Sequence, residues 1–193
     1  MKDIIFATNN AHKLEELRQI LAGRFNVLSL ADIDCHEDIP ETAPTIEGNA
    51  VMKAQWIHEH YGVDCFSDDT GLEIDALGGE PGVHSARYAT DGHDNIANIN
   101  KVLTKMAGVT DRTARFRTVI ALIMDGELHT FKGEVEGRIL TERHGEGGFG
   151  YDSIFQPVEG DGRTFGEMSA QEKNAISHRG RAVARLAEFL SAR

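Results

Sequence analysis

"RFRTVIALIMDGELHTFKGEVEGRI", Arg115 to Ile139, decides the architecture. Its first half holds an unbroken apolar run from Val119 to Met124, its second half mixes polar and apolar residues, and Asp125-Gly126 separates them. Asp-Gly between two β-type runs signals a two-residue hairpin turn, whose central residues both take positive φ. Two long antiparallel strands are therefore expected. The apolar run has the length of a buried strand and falls far short of the ~18 residues that a membrane-crossing helix needs.

Outward from this ribbon, strands alternate with helices. "DIIFA" (Asp3 to Ala7) reads as a short buried strand leading through "TNNAHK" into a helix from Lys13 to Leu21, with Leu14, Leu17 and Leu21 on one face. "NVLSL" (Asn26 to Leu30) reads as a second strand, and an acidic, proline-containing loop follows it. Thr45 is placed to cap a helix running to Tyr61, in which Ala50, Ala54, Ile57 and Tyr61 are spaced for burial. "DCFSD" and "GLEIDAL" read as strands on either side of Asp69-Thr70, the second alternating Leu72, Ile74 and Ala76 against Glu73 and Asp75. A helix is expected over Asp94 to Met106, and a closing helix, with Ser177 as N-cap, buries Val183, Leu186, Ala187 and Leu190. The pattern is mixed α/β, and 193 residues suit one domain, residues 1–193, with a sizeable core.

Composition restricts the partners. Twenty Lys and Arg against 31 Asp and Glu give a formal charge of −11, which opposes adsorption to nucleic acids or anionic membranes. Neither is expected as a partner, and any polyanionic substrate must meet a locally basic pocket. Asp3 interrupts the region where a signal peptide would be apolar. Cys35 and Cys65 lack metal-type spacing and read as free thiols of a cytoplasmic protein. Of the nine histidines, His58 and His60 lie two apart on a helix and do not face each other.

Three groups of residues could carry chemistry. Lys13, His178 and Arg179 occupy first turns of helices, where a cation is unfavourable unless an anion also binds there. Taken alone, Lys13 reads in the first place as an exposed helix lysine paired with a neighbouring Glu, and its meaning depends on its partners. Glu41, Asp68 and Asp69 are the carboxylates. Successive strand residues point to opposite faces, so Asp68 and Asp69 have different roles. Two readings of Asp69 stand: a Mg²⁺ ligand at a strand end, joined by Glu41, or an Asx-turn satisfying backbone donors before Gly71. Asp69-Thr70-Gly71 also matches the loop of aspartic peptidases, a reading the helical content opposes. Finally, Phe149 between glycines in "GGFGYD" (Gly147 to Asp152) is either a ring for stacking on a nucleobase or a core residue.

Together, "ATNNAHK" (Ala7 to Lys13), "SDDTGLEIDALGGEPGVHSARYA" (Ser67 to Ala89), "GGFGYDSIF" (Gly147 to Phe155) and "ISHRGRA" (Ile176 to Ala182) resemble, in order and spacing, the motifs of the inosine/xanthosine triphosphate pyrophosphatase family. The resemblance implies an α/β fold with a long mixed β-sheet, flanking helices and two lobes around an active-site cleft. It also implies a homodimer, Mg²⁺ dependence, and hydrolysis of ITP, dITP and XTP to monophosphate and pyrophosphate. It assigns Thr8, Asn9, Asn10, Ala11, His12, Lys13, Thr70 and Lys173 to nucleotide contacts. Asp69 becomes the metal-binding carboxylate that acts as base, with Glu41 the second carboxylate. Phe149, Gly150, Tyr151, Asp152, His178 and Arg179 form the base pocket. Asn9 stands where many members have glycine, and asparagine tolerates left-handed backbone. A non-catalytic nucleotide-binding module would share the cations and Phe149 without needing the carboxylates.

Overall fold

A computed structural model describes all of residues 1–193. Strands β1 (Lys2–Phe6), β2 (Phe25–Leu28), β3 (Cys65–Ile74), β4 (Thr113–Met124), β5 (Glu127–Ile139) and β6 (Phe155–Pro157) form one sheet in the order β2-β1-β3-β4-β5-β6. The helices are α1 (Ala11–Ile20), α2 (Ile46–Tyr61), α3 (Asn95–Lys105), α4 (Ala170–Ile176) and α5 (His178–Ser191). β1 pairs in parallel with both β2 and β3, and β6 pairs antiparallel with β5, so the sheet is mixed. The hairpin forms as expected: Asp125 and Gly126 have φ of 52° and 80°, the all-positive turn that matches strand twist.

The chain divides into two compact units. The first comprises Met1–Asp69, Val119–Lys132 and Ala182–Arg193. Its core gathers Ile4, Phe6, Leu17, Phe66, Leu122 and Leu186, with the Phe6 and Phe66 rings stacked at 4.5 Å. The second comprises Thr70–Thr118 and Gly133–Arg181. It packs Leu72, Val102, Phe116, Ile154, Phe155 and Phe165 together. No helix is long and apolar enough to cross a membrane.

Two expectations about local structure need correction. The two strands assigned around Asp69-Thr70 are one continuous strand, β3, so the tripeptide is neither an Asx-turn nor a strand end. Regular pairing ends at Ile74, and Ala76 lies exposed in a 3₁₀ turn over Asp75–Leu77 instead of continuing the strand face. A short helix was also missed. α4 begins with a capping box in which Ser169 Oγ accepts from Glu172 N and Glu172 Oε1 accepts from Ser169 N.

Candidate active site

In the first unit the site is built where β1 gives way to α1. Thr8 Oγ1 accepts from Asn10 N at 3.1 Å, and Asn10 Oδ1 caps the helix by accepting from His12 N and Lys13 N at 3.0 and 3.2 Å. Two N-terminal donors of α1 are thereby already satisfied by the protein itself. Asn9 does not use left-handed backbone; the non-glycine residues that do are Asp34 and Asp125. Asn9, Asn10, Ala11 and His12 are exposed, whereas Lys13 is half-buried.

Lys13 does not pair with a neighbouring helix glutamate. Its Nζ lies 2.9 Å from Asp68 Oδ2, and that aspartate is buried on β3. Lys53, which sequence reasoning passed over, is the second half-buried ammonium. From α2 its Nζ reaches Glu41 Oε1 at 2.8 Å and the Asp68 carbonyl oxygen at 2.5 Å. Burial alone would lower the Lys53 pKa, but the charges of Asp68, Asp69 and Glu41 outweigh it and hold the pKa above the ordinary 10.5. The signal was present: a lysine one position before Ala54 sits beside the apolar stripe of α2.

Asp68 pairs with Lys13, Glu41 pairs with Lys53, and the charges of Asp68, Asp69 and Glu41 all act on Lys53. The chemistry fits a hard divalent cation. Glu41 and Asp69 offer carboxylate oxygens of the kind Mg²⁺ takes in ones and twos, with water and phosphate completing its shell. Nowhere do three His, Cys, Asp or Glu side chains cluster as ligands for one ion, so a closed all-protein metal cage is absent.

In the second unit, Thr70 Oγ1 and Thr118 Oγ1 are 2.8 Å apart, fixing Thr70 on β3. The glycine-rich loop is organised by Asp152. Its Oδ2, nearly inaccessible to solvent, accepts from Lys173 Nζ at 2.6 Å and from Phe149 N at 3.1 Å. Phe149 is 57% exposed, which excludes the core-filling reading. Lys173 Nζ lies 4.7 Å and Arg179 Cζ 5.7 Å from its ring centroid. This ring flanked by two cations suits a planar, electron-rich ligand.

The remaining pocket residues are placed more deeply. Tyr151 is buried and donates its hydroxyl to the Ser85 carbonyl at 2.6 Å, and burial pushes its pKa up. Gly150 follows Phe149 with φ of 58°, a conformation that favours glycine. His178 opens α5 and stacks on Phe116 at 4.7 Å. The preceding Ser177 caps α5 through Gly180 N at 3.0 Å, as expected.

Comparison with known proteins gives a consistent result. The Ham1 family matches residues 4–189. A dITP/XTP pyrophosphatase of Porphyromonas gingivalis is 53% identical over 191 residues, covering 98% of each chain. A dITP/XTP pyrophosphatase of Bacillus subtilis is 46% identical, covering all of this chain and 98% of its own. The solved Ham1 protein of Staphylococcus aureus is 38% identical with a TM-score of 0.94, covering 99% of each chain.

Proposed function

Because the chain belongs to the Ham1 family, we propose that it is a nucleoside-triphosphate pyrophosphatase that hydrolyses deaminated purine nucleotides, dITP, XTP and ITP, to monophosphate and pyrophosphate. The observation that carries the reading is the set of Glu41, Asp68 and Asp69 around two half-buried lysines. Such a set is needed to handle phosphate charge and a water nucleophile, and a passive nucleotide-binding module does not need it. With Asp-Thr-Gly inside a strand, the chain also lacks the loop on which a peptidase aspartate would sit.

In this reading Lys13 and Lys53 contact phosphate oxygens and stabilise the charge that accumulates as pyrophosphate departs. Thr8 and the backbone around Asn9 to His12 border the same anion. Thr70, held by Thr118, adds a hydroxyl. Asp69 orients the attacking water and takes its proton as the new P–O bond forms and the α–β anhydride breaks. Glu41 and Asp69 would hold Mg²⁺, which when bound neutralises phosphate charge and polarises P–O bonds.

Phe149 stacks on the base. Lys173, Arg179 and His178 supply donors to a 6-keto oxygen, an acceptor where adenine carries a donor amine, and Asp152 with the Gly150-Tyr151 backbone shapes the pocket. A pocket of donors leaves buried polar groups unpaired when adenine enters, so preference for keto bases follows. We further propose that the protein works as a cytoplasmic homodimer, which sedimentation would test.

The deciding experiment is a triphosphate panel assayed for pyrophosphate with Mg²⁺ and with chelator. Mg²⁺-dependent release from dITP, XTP and ITP at kcat/KM at least ~100-fold above ATP is expected. Equal rates on ATP, or turnover undiminished by chelator, would overturn the assignment.

A further inference from the structure

We infer that Asp68 is a positioning residue that acts through Lys13, and that it is not a metal ligand or a base. The inference rests on the proposed phosphate chemistry and adds a role for the first of the two adjacent aspartates. β3 runs unbroken through both residues, so their side chains leave the strand on opposite faces. Asp68 is 4% exposed, and its Oδ2 meets Lys13 Nζ at 2.9 Å. The lysine is only partly shielded, with 19% of its side chain exposed.

A long, flexible ammonium tethered by an inaccessible carboxylate has one orientation instead of many. It therefore meets an incoming phosphate without first losing rotamer freedom. Lys53 also feels the Asp68 charge, but its hydrogen bonds go to Glu41 Oε1 and to the backbone carbonyl of Asp68. A side-chain substitution at position 68 leaves that carbonyl in place. The tether to Lys13 can thus be separated experimentally from the hydrogen bonds that hold Lys53.

The test is a pair of double-mutant cycles, Asp68→Asn with Lys13→Met and Asp68→Asn with Lys53→Met, read as kcat/KM on dITP and as calorimetric binding of inorganic tripolyphosphate. Asp68→Asn alone should lower kcat/KM by roughly 10- to 100-fold, the range for losing one charge-assisted hydrogen bond. On the Lys13→Met background the same substitution should change little, whereas on the Lys53→Met background it should keep most of its effect. The half-saturating Mg²⁺ concentration should stay at the wild-type value.

Multiplicative losses in both cycles, or a raised Mg²⁺ requirement, would overturn the inference and make Asp68 a direct participant. Should Asp68→Asn fail to fold, Asp68→Glu replaces it. Retained charge should then restore the dependence on Lys13, and no restoration counts against the inference. If wild type does not turn over dITP, the functional reading fails and the tripolyphosphate cycles decide this one. Absence of tripolyphosphate binding to wild type would overturn both.

Discussion

Gly148→Ala should damage the second unit's pocket through one identifiable contact. Gly148 has φ of 70°, and a Cβ built there would lie 2.2 Å from Asp152 Oδ2. Ordinary contact begins near 3.4 Å, so the carboxylate oxygen must retreat by 3.4 − 2.2 = 1.2 Å. That oxygen holds both Lys173 Nζ at 2.6 Å and Phe149 N at 3.1 Å, and a shift of this size cannot preserve both bonds. Left-handed backbone for alanine costs about 1 to 2 kcal/mol. Losing a hydrogen bond to a charged group costs about 1.5 to 3 kcal/mol more.

Gly150→Ala provides the comparison. Gly150 has φ of 58°, but a Cβ there meets no atom within 4 Å, so only the backbone strain applies. Urea unfolding together with pyrophosphate release from dITP and ATP measures both variants. Gly148→Ala should exceed Gly150→Ala by about 1.5 to 3 kcal/mol, summed over stability and transition-state binding, and should lose part of the preference for dITP over ATP. Equal total effects would refute the role given to Asp152 as anchor of Phe149 and Lys173.

Asp69→Asn should abolish turnover on dITP with the urea midpoint nearly unchanged; retention of more than about a tenth of wild-type kcat would remove Asp69 as base, since general-base loss costs roughly 100-fold or more. Arg112 donates to the carbonyls of Met106, Val109, Ile139 and Leu140 at 2.7 to 3.3 Å, tying the end of α3 to the end of β5. Arg112→Met should therefore cost about 2 to 4 kcal/mol in urea unfolding while changing kcat/KM little, and a kinetic defect without a stability loss would contradict this. Glu172, on α4 with Lys173, has its pKa lowered from 4.5 to about 2 by Arg163 and by the Ser169 backbone and hydroxyl. A depressed folded-state pKa gives stability that is present above 4.5 and lost as pH falls toward 2, so the Tm gap between wild type and Glu172→Gln should close across that window. A gap of constant size would show that the cap does not depend on the charge.

What the sequence made legible was local. Thr45 caps α2 through Gly48 N, and Gly62, with φ of 63°, ends that helix in left-handed backbone, both because small or polar residues do this work within a few positions of themselves. The hairpin at Asp125-Gly126 is equally local. The misreading at Asp69-Thr70-Gly71 arose because Asp68, Asp69 and Gly71 are of residue types depleted in strands and enriched in turns, which outweighed the strand preference of Thr70. What keeps them extended lies far along the chain: Lys13 neutralises Asp68 from 55 residues away, and Thr118 meets Thr70 from 48 residues away. α4 was legible in principle, since Ser169 and Glu172 have capping-box spacing. Lys53 was legible only as an anomaly, a charge beside an apolar stripe, because its partners Glu41 and Asp68 are fixed by the fold.

The continuity of β3 also bears on how an acidic chain can bind a triphosphate. At a net charge of −11 the protein as a whole repels its proposed substrate, so attraction must come from a few cations whose charge is available at short range. Lysines left on mobile surface stems would be solvated and entropically free, and each would have to be ordered at the moment of binding. Lys13 and Lys173 are instead each held by one buried aspartate, Asp68 at 2.9 Å and Asp152 at 2.6 Å. An isolated buried carboxylate is strongly unfavourable, and pairing removes most of that penalty, so fold stability itself keeps each ammonium in place. Two of the carboxylates that add to the unfavourable overall charge are in this sense the groups that orient the cations. Neutralising Asp68 or Asp152 would make the chain less acidic and should nevertheless weaken phosphate or base binding, the opposite of what net charge alone dictates.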